Sequence, residues 1–275
     1  MEDEKLLSRL QDVYKGADVS GGNEEACLEV AHEKTIGEIL AWTMQTSPDV
    51  PKILWLSGMP GAGKSLIARS IAQRLNRSKQ SSHFAVDFSF RRSDSEKRTP
   101  FALWCYILFK LASRYRVFKD VALSHLRAEG FDLASSEASD ILKIITEAAN
   151  IFLENRNDST GPLPVIVIAI DALDECPQTS SSHISPRESV LAAIASLPRC
   201  FKVLVTSGEE TDLDVVLRPV WLSLSFRTGK EVKAVDTRGM IISSEIVPDS
   251  GTLSFFFLSA HVHLCTHVQA NRGIR

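Results

Sequence analysis

The sequence has no C-x-x-C pair, and its five cysteines, Cys27, Cys105, Cys176, Cys200 and Cys265, are widely spaced and odd in number. That pattern excludes a disulfide framework as the organising device and fits reduced thiols in an intracellular protein. No charge of one sign dominates: 31 Lys and Arg face 34 Asp and Glu, for a formal charge of −3. Such a balance provides no sequence-wide attraction to nucleic acid or to an anionic membrane, and neither is expected as a partner. The charged start, Met1 to Lys5, is followed by no apolar h-region, so a signal peptide is not expected. The longest late apolar stretch, Leu253–Cys265, is interrupted by Ser254, Ser259, His261 and His263 and falls short of the ~20 residues a membrane helix needs. The expectation is a soluble, cytoplasmic protein.

What is present is core-forming material. Apolar residues make up 44% of the 275-residue chain, enough for one main domain with flanks, since α/β domains run to about 250 residues. Residues 1–22 read as a polar segment ending in a flexible Ser20-Gly21-Gly22 joint. A lead-in helix is expected from Glu24 to Met44, with Leu28, Ile36, Ile39, Leu40 and Trp42 as its apolar positions and Pro48 and Pro51 closing it. Ile53–Leu56 reads as a short buried strand, Phe84–Phe90 as an alternating one, and Val165–Ile170 as a β-branched strand covered on both faces. Lys202–Ser207 and Val220–Phe226 are further strand candidates. Helical periodicity marks Leu66–Leu75, Phe101–Leu111 and Ile141–Phe152, and Ser185-Pro186-Arg187-Glu188 is a capping box opening a helix to about Leu197. Strands alternating with helices predict an α/β fold, a parallel sheet with helices on both faces. The domain is expected to span residues 23–236. The tail, 237–275, carries no readable periodicity.

Gly58-Met59-Pro60-Gly61-Ala62-Gly63-Lys64-Ser65 matches G-x-x-x-x-G-K-[ST] at every fixed position, between a predicted strand and a predicted helix. A loop that wraps a triphosphate must point its backbone N–H groups inward, which requires glycine torsions, and the helix that follows adds its positive end. Gly58 to Ser65, with Leu66 behind them, are therefore the expected nucleotide-binding residues. Lys64 is expected on the β- and γ-phosphates and the Ser65 hydroxyl on Mg²⁺. Val165–Asp171 supplies the partner, an apolar strand ending in a carboxylate, and Asp171 is the expected second contact to Mg²⁺ through water. Asp174 and Glu175 follow at once as candidates to orient or activate an attacking water, with Glu175 the favoured base. No Asn-Lys-x-Asp segment occurs to read guanine, which favours ATP over GTP.

Three runs, Ile53–Ser65 (ILWLSGMPGAGKS), Val165–Cys176 (VIVIAIDALDEC) and Lys202–Glu210 (KVLVTSGEE), together resemble fungal NACHT-type ATPases of the STAND class of P-loop NTPases, relatives of the NLR immune receptors. Cys27–Trp42, Gly130–Leu133 and Leu197–Arg199 fit the same pattern, so the likeness covers roughly Leu6 to Asp236. It implies an ASCE-type sheet with the Lys202–Ser207 strand inserted between the P-loop strand and the Asp171 strand. It also implies an ATP/ADP-dependent switch that associates with itself or with related NACHT proteins. The chain departs from the pattern at two places: Gly208 stands where the family carries a sensor arginine, and Val30-Ala31-His32 replaces a Gly-Thr-Arg-like turn. No lid or winged-helix region matches after the sheet. Two readings follow, a switch module with slow Mg-dependent ATP hydrolysis and a non-catalytic nucleotide-binding scaffold or truncated receptor.

Other clusters carry blander readings. Arg91 and Arg92 continue into Lys97-Arg98 as a solvated basic turn. His261, His263, Cys265 and His267 share one face of an extended strand, but nothing nearby supplies the rigid scaffold that zinc requires.

Overall fold

The computed structural model describes residues 2–14, 32–47, 50–77, 83–93, 99–155, 164–177 and 185–208, and the backbone alone of 24–31, 222–226, 234–235 and 241–242. In chain order the elements are α1 (Glu2–Asp12), α2 (Glu24–Met44), β1 (Ile53–Gly58), α3 (Lys64–Arg77), β2 (Phe84–Ser89), α4 (Pro100–Arg114), α5 (Arg116–Arg127), α6 (Ala138–Glu154), β3 (Ile166–Asp171), α7 (Pro186–Ser196), β4 (Phe201–Ser207), β5 (Leu222–Phe226), β6 (Ala234–Val235) and β7 (Ile241–Ile242). A single 3₁₀ turn, Leu173–Glu175, follows β3.

The sheet runs β2-β3-β4-β1-β5-β6-β7, with the first five strands parallel and the last two antiparallel. β4 therefore lies between β1 and β3, the insertion that the family resemblance implies. Strands β1 and β4 are buried at every residue, which is why they read as unbroken apolar runs; edge strand β2 leaves Asp87 exposed. Alternate residues of each strand feed two cores. Ile53, Trp55, Phe88, Ile168 and Val203 face the side covered by α1, α4, α5, α6 and α7. Leu54, Leu56, Val167, Ala169 and Leu204 face α2 and α3.

Caps set where the helices start. Thr99 accepts the Ala102 N–H ahead of Pro100 in α4, and Ser185 and Glu188 exchange side-chain-to-backbone hydrogen bonds at the start of α7, as the capping box predicts. Four elements are not legible in the periodicity, among them the two-residue strand β6. Helix α5 packs Phe118, Ala122, Leu123 and Leu126 into the larger core. β7 falls within the tail that carries no readable pattern. Helix α1 lies within the segment read as merely polar: charges cover it except for a narrow stripe, and Leu7, Leu10 and the following Tyr14 are buried in the larger core. Tyr14 forms a tilted three-ring cluster with Phe88 and Tyr106, with ring centroids 4.9 and 4.5 Å away.

The end of α2 is fixed by a buried cation. Lys202 of β4 is 5% exposed, lies 4.7 Å from the centre of the Trp42 ring and donates to the Trp42 carbonyl. The Trp42 indole N–H in turn donates to the Pro51 carbonyl at 2.9 Å, pinning the turn into β1. Burial pulls the Lys202 pKa down from 10.5 to about 8.

Two measurements check these contacts. Leu10→Ala, at a site with no exposure, is expected to lower unfolding free energy by about 2–5 kcal/mol in denaturant titration; a loss below about 0.5 kcal/mol would mean that α1 is not part of the cooperative core. Between about pH 8 and 10.5 the unfolded chain holds the Lys202 proton that the folded chain has released. Stability contributed by this group therefore rises with pH across that window, and Lys202→Met is expected to remove the rise relative to the parent. Equal pH slopes in parent and variant would assign the titration elsewhere.

Candidate functional site

β1 delivers the chain to the carboxyl edge of the sheet, and the loop beyond it turns directly into α3. Gly61 and Gly63 adopt φ of +78° and +81°, torsions that a residue with a Cβ enters only with strain. The Ala62 N–H bonds the Met59 carbonyl at 3.2 Å, and the Ile67 N–H bonds the Gly63 carbonyl at 2.9 Å, so the loop is continuous with the first turn of the helix. The Lys64 ammonium folds back onto the loop and donates to the carbonyls of Gly58 at 2.8 Å and Met59 at 2.9 Å. Met59, Pro60, Gly61 and Ser65 are exposed, and Ala62, Gly63, Lys64 and Leu66 are half-buried, which leaves the loop open to a ligand from solvent.

Asp171 ends β3 in register with Ser89 of β2. On the other side, β4 pairs Val205 with Ile170, which brings Thr206 alongside. Both neighbours bind the carboxylate: the Ser89 hydroxyl donates to Oδ2 at 3.0 Å and the Thr206 hydroxyl to Oδ1 at 2.5 Å. The Thr206 oxygen also accepts the Ala172 N–H at 3.0 Å. Ala172 sits at φ 56° and ψ 49°, a left-handed conformation that costs a non-glycine residue on the order of 1 kcal/mol. This reversal bends the chain across the sheet edge into the Leu173–Glu175 turn. Because β4 also pairs Thr206 with Leu56, Asp171 lies level with Leu56 two strands away, roughly 10 Å across the sheet. The glycine loop starts two residues beyond that level, on the same edge.

Two arginines hold the acidic turn. Arg187, only 4% exposed, donates to the carbonyls of Asp174 at 2.6 Å and Cys176 at 3.2 Å. Arg92 donates its guanidinium to the Asp174 carbonyl at 3.1 Å, and its backbone N–H to Glu175 Oε2 at 2.6 Å. Arg92 is exposed, but it is an integral partner of the acidic turn rather than a solvated charge. Gly208 faces the same cluster: a Cβ at this position would lie 3.4 Å from Asp174 Oδ2. The place that carries a sensor arginine in the resembled proteins thus opens directly on the acidic turn with no side chain there.

Sequence reading missed Ser89, Thr206 and Arg187. The available signal for the first two was a hydroxyl at the carboxyl end of an otherwise apolar strand. Arg187 was hidden inside a capping box, where an arginine reads as surface. The histidine and cysteine cluster at 261–267 lies outside the described residues. Among the described residues no helix is long and apolar enough to cross a membrane.

Comparison with known proteins places this edge in context. No curated protein matches the chain. Among solved structures, PCH-2 from C. elegans is 15% identical over 76% of this chain and 43% of its own, with a TM-score of 0.35. The Walker-type ATPase paby2304 of Pyrococcus abyssi is 13% identical over 70% and 54%, with a TM-score of 0.37, and Drosophila ORC bound to DNA is 12% identical over 83% and 55%, with a TM-score of 0.36. The chain spans about half the length of these proteins, and at such TM-scores the likenesses carry no weight for function. The family model described as Nephrocystin 3, N-terminal matches residues 35–208, more than half of the chain. That span opens within α2 and closes at Gly208, so it takes in the glycine loop, Asp171 and the inserted strand, and the chain belongs to this family, as a NACHT-type P-loop NTPase.

Proposed function

We propose that this chain is an ATP/ADP-binding switch module of NACHT type, which holds a magnesium nucleotide firmly and hydrolyses it slowly at most. The observation that carries the reading is the shared sheet edge: a loop with two positive-φ glycines and Lys64 beside a carboxylate gripped from both flanking strands.

The residues present fit such a ligand. The loop from Gly58 to Gly63 and the start of α3 supply backbone donors and the positive helix end, which suit a phosphate chain. The Lys64 ammonium already lies on the loop, where it neutralises phosphate charge. Mg²⁺ would be held by the Ser65 hydroxyl and, through water, by Asp171, whose two fixed oxygens retain lone pairs for that purpose. The metal when bound screens phosphate charge.

Hydrolysis is less well provided for. Glu175, the favoured base, spends one carboxylate oxygen on the Arg92 N–H, and Gly208 contributes no cation beside Asp174. These two features also favour the second reading, a non-catalytic nucleotide-binding scaffold acting by association with its relatives. In either form, self-association or association with related NACHT proteins is the expected output.

Saturating Mg-ATP or Mg-ADP at about 100 times Kd adds about 2.7 kcal/mol of stability, a rise of roughly 5–10 °C in Tm for a domain of this size. Lys64→Ala is expected to abolish that rise; an unchanged rise would show that the nucleotide binds elsewhere. In single-turnover assays, phosphate release is expected on the order of 10⁻³ s⁻¹ or slower. Glu175→Gln is expected to abolish this release while leaving Kd within about twofold. Release that persists in Glu175→Gln removes Glu175 from the role of base, and absence of release in the parent selects the scaffold reading.

A further inference from the structure

Contacts to all three acidic residues hang from a short segment at the end of β2. The Ser89 hydroxyl donates to Asp171, the Arg92 N–H to Glu175, and the Arg92 guanidinium to the Asp174 carbonyl. β2 is the edge of the sheet and is bonded to β3 alone. A strand bonded on one side only has half the pairing of an inner strand. The position of its end therefore depends on what packs against its face.

Part of that packing comes from α1. Phe88 and Phe90 flank Ser89, are each 1% exposed, and lie edge to face with centroids 5.0 Å apart. Tyr14, just beyond α1, is buried with its ring centroid 4.9 Å from that of Phe88 and 4.5 Å from that of Tyr106 in α4. Truncating this ring leaves a void against Phe88, which its lining side chains relieve only in part and only by moving. α1 is otherwise fastened by Leu7 and Leu10 in the larger core and by an Asp3–Arg127 ion pair with α5 at its amino end. A short helix held by so few buried side chains belongs to the part of a structure that opens before the whole unfolds. It also precedes residues 35–208, the span matched by the family model.

We infer that α1 is a docked prop whose Tyr14 ring positions the end of β2, so that docking of α1 and binding of the magnesium nucleotide favour each other. The inference rests on the magnesium-nucleotide reading above and adds to it a regulatory element outside the nucleotide motifs. Tyr14, buried in the core, is a positioning residue that acts through Phe88 and Ser89 on Asp171. Such coupling is reciprocal: the nucleotide holds α1 down by the factor that docked α1 adds to nucleotide affinity. A partner that drew α1 away would loosen the nucleotide by the same factor.

The test uses the full chain. Kd values for Mg-ATP, and for ATP in EDTA, are measured by calorimetry for the parent, Tyr14→Ala, Tyr14→Phe and a control, Phe152→Ala. Phe152 is a buried ring at the end of α6, packed on Tyr115 and Phe118. Tyr14→Ala is expected to weaken Mg-ATP about tenfold while changing binding in EDTA by less than about twofold. Tyr14→Phe, which keeps the ring, is expected to recover most of the loss. Phe152→Ala is expected to lower Tm and leave both Kd values within about twofold of the parent. In the parent, saturating Mg-ATP is expected to slow amide exchange in α1 about tenfold, at times too short for α6 to exchange. Unchanged Mg-ATP affinity in Tyr14→Ala overturns the inference, as does an equal loss in EDTA or in Phe152→Ala, which would reduce the effect to general destabilisation. If Tyr14→Ala does not fold, the exchange measurement decides, and α1 amides that ignore Mg-ATP overturn the inference. Absence of Mg-ATP binding in the parent sinks the magnesium-nucleotide reading itself, a result distinct from binding that ignores position 14.

Discussion

The Asp171 carboxylate is gripped by a hydroxyl from each neighbouring strand, Ser89 on one side and Thr206 on the other. Neither contact is local in sequence, and both exist only because β3 lies between β2 and β4 in parallel register. The rest of the carboxyl edge follows from this grip. Thr206 also captures the Ala172 N–H and so stabilises the left-handed turn that sends the acidic 3₁₀ segment across the strand ends. β4, which carries Thr206, is bonded on its far side to β1, and β1 delivers the glycine loop. Through that chain of strand pairings, loop and carboxylate hold fixed positions although more than 100 residues of sequence separate them.

A second set of contacts holds the acidic turn from outside the sheet. Arg187 from α7 and Arg92 from the end of β2 converge on the Asp174 carbonyl. A buried guanidinium is costly to desolvate, and Arg187 directs its Nη2 group at two backbone carbonyls, a neutral and directional arrangement. The consequence for chemistry is positional rather than electrostatic: the turn bearing Asp174 and Glu175 is braced by two elements. Glu175 is itself engaged by the Arg92 N–H. Gly208, whose Cα side faces the Asp174 carboxylate, places no side chain against it.

Helix α2 is held at both ends of its described side chains, to the sheet at one and to α3 and the glycine loop at the other. At its end Trp42 packs against the buried Lys202 ammonium, and near its other limit Glu33 pairs with Arg74 while His32 lies against Gly63. A lead-in helix attached in this way moves only if the loop, the sheet or α3 moves with it.

The glycine loop, the strand ending in Asp171 and the capping box before α7 were all legible in the sequence because each is specified by residues within one short segment. Torsional permission, strand burial on both faces and helix capping are local properties of a chain. The extent of α2 and the burial of β1 and β4 followed from apolar patterning for the same reason. Helix α1 escaped because three buried side chains, Leu7, Leu10 and Tyr14, stand among charges that dominate composition. Ser89, Thr206, Arg92 and Arg187 escaped because a hydroxyl or guanidinium gains its role only from the partner that folding brings to it. The sequence alone determined that a phosphate-type loop and an acidic strand end exist. Only the tertiary structure decided which side chains orient that acid and brace its turn, and that His32 meets the loop, because those contacts depend on strand order and helix rotation rather than on neighbours along the chain.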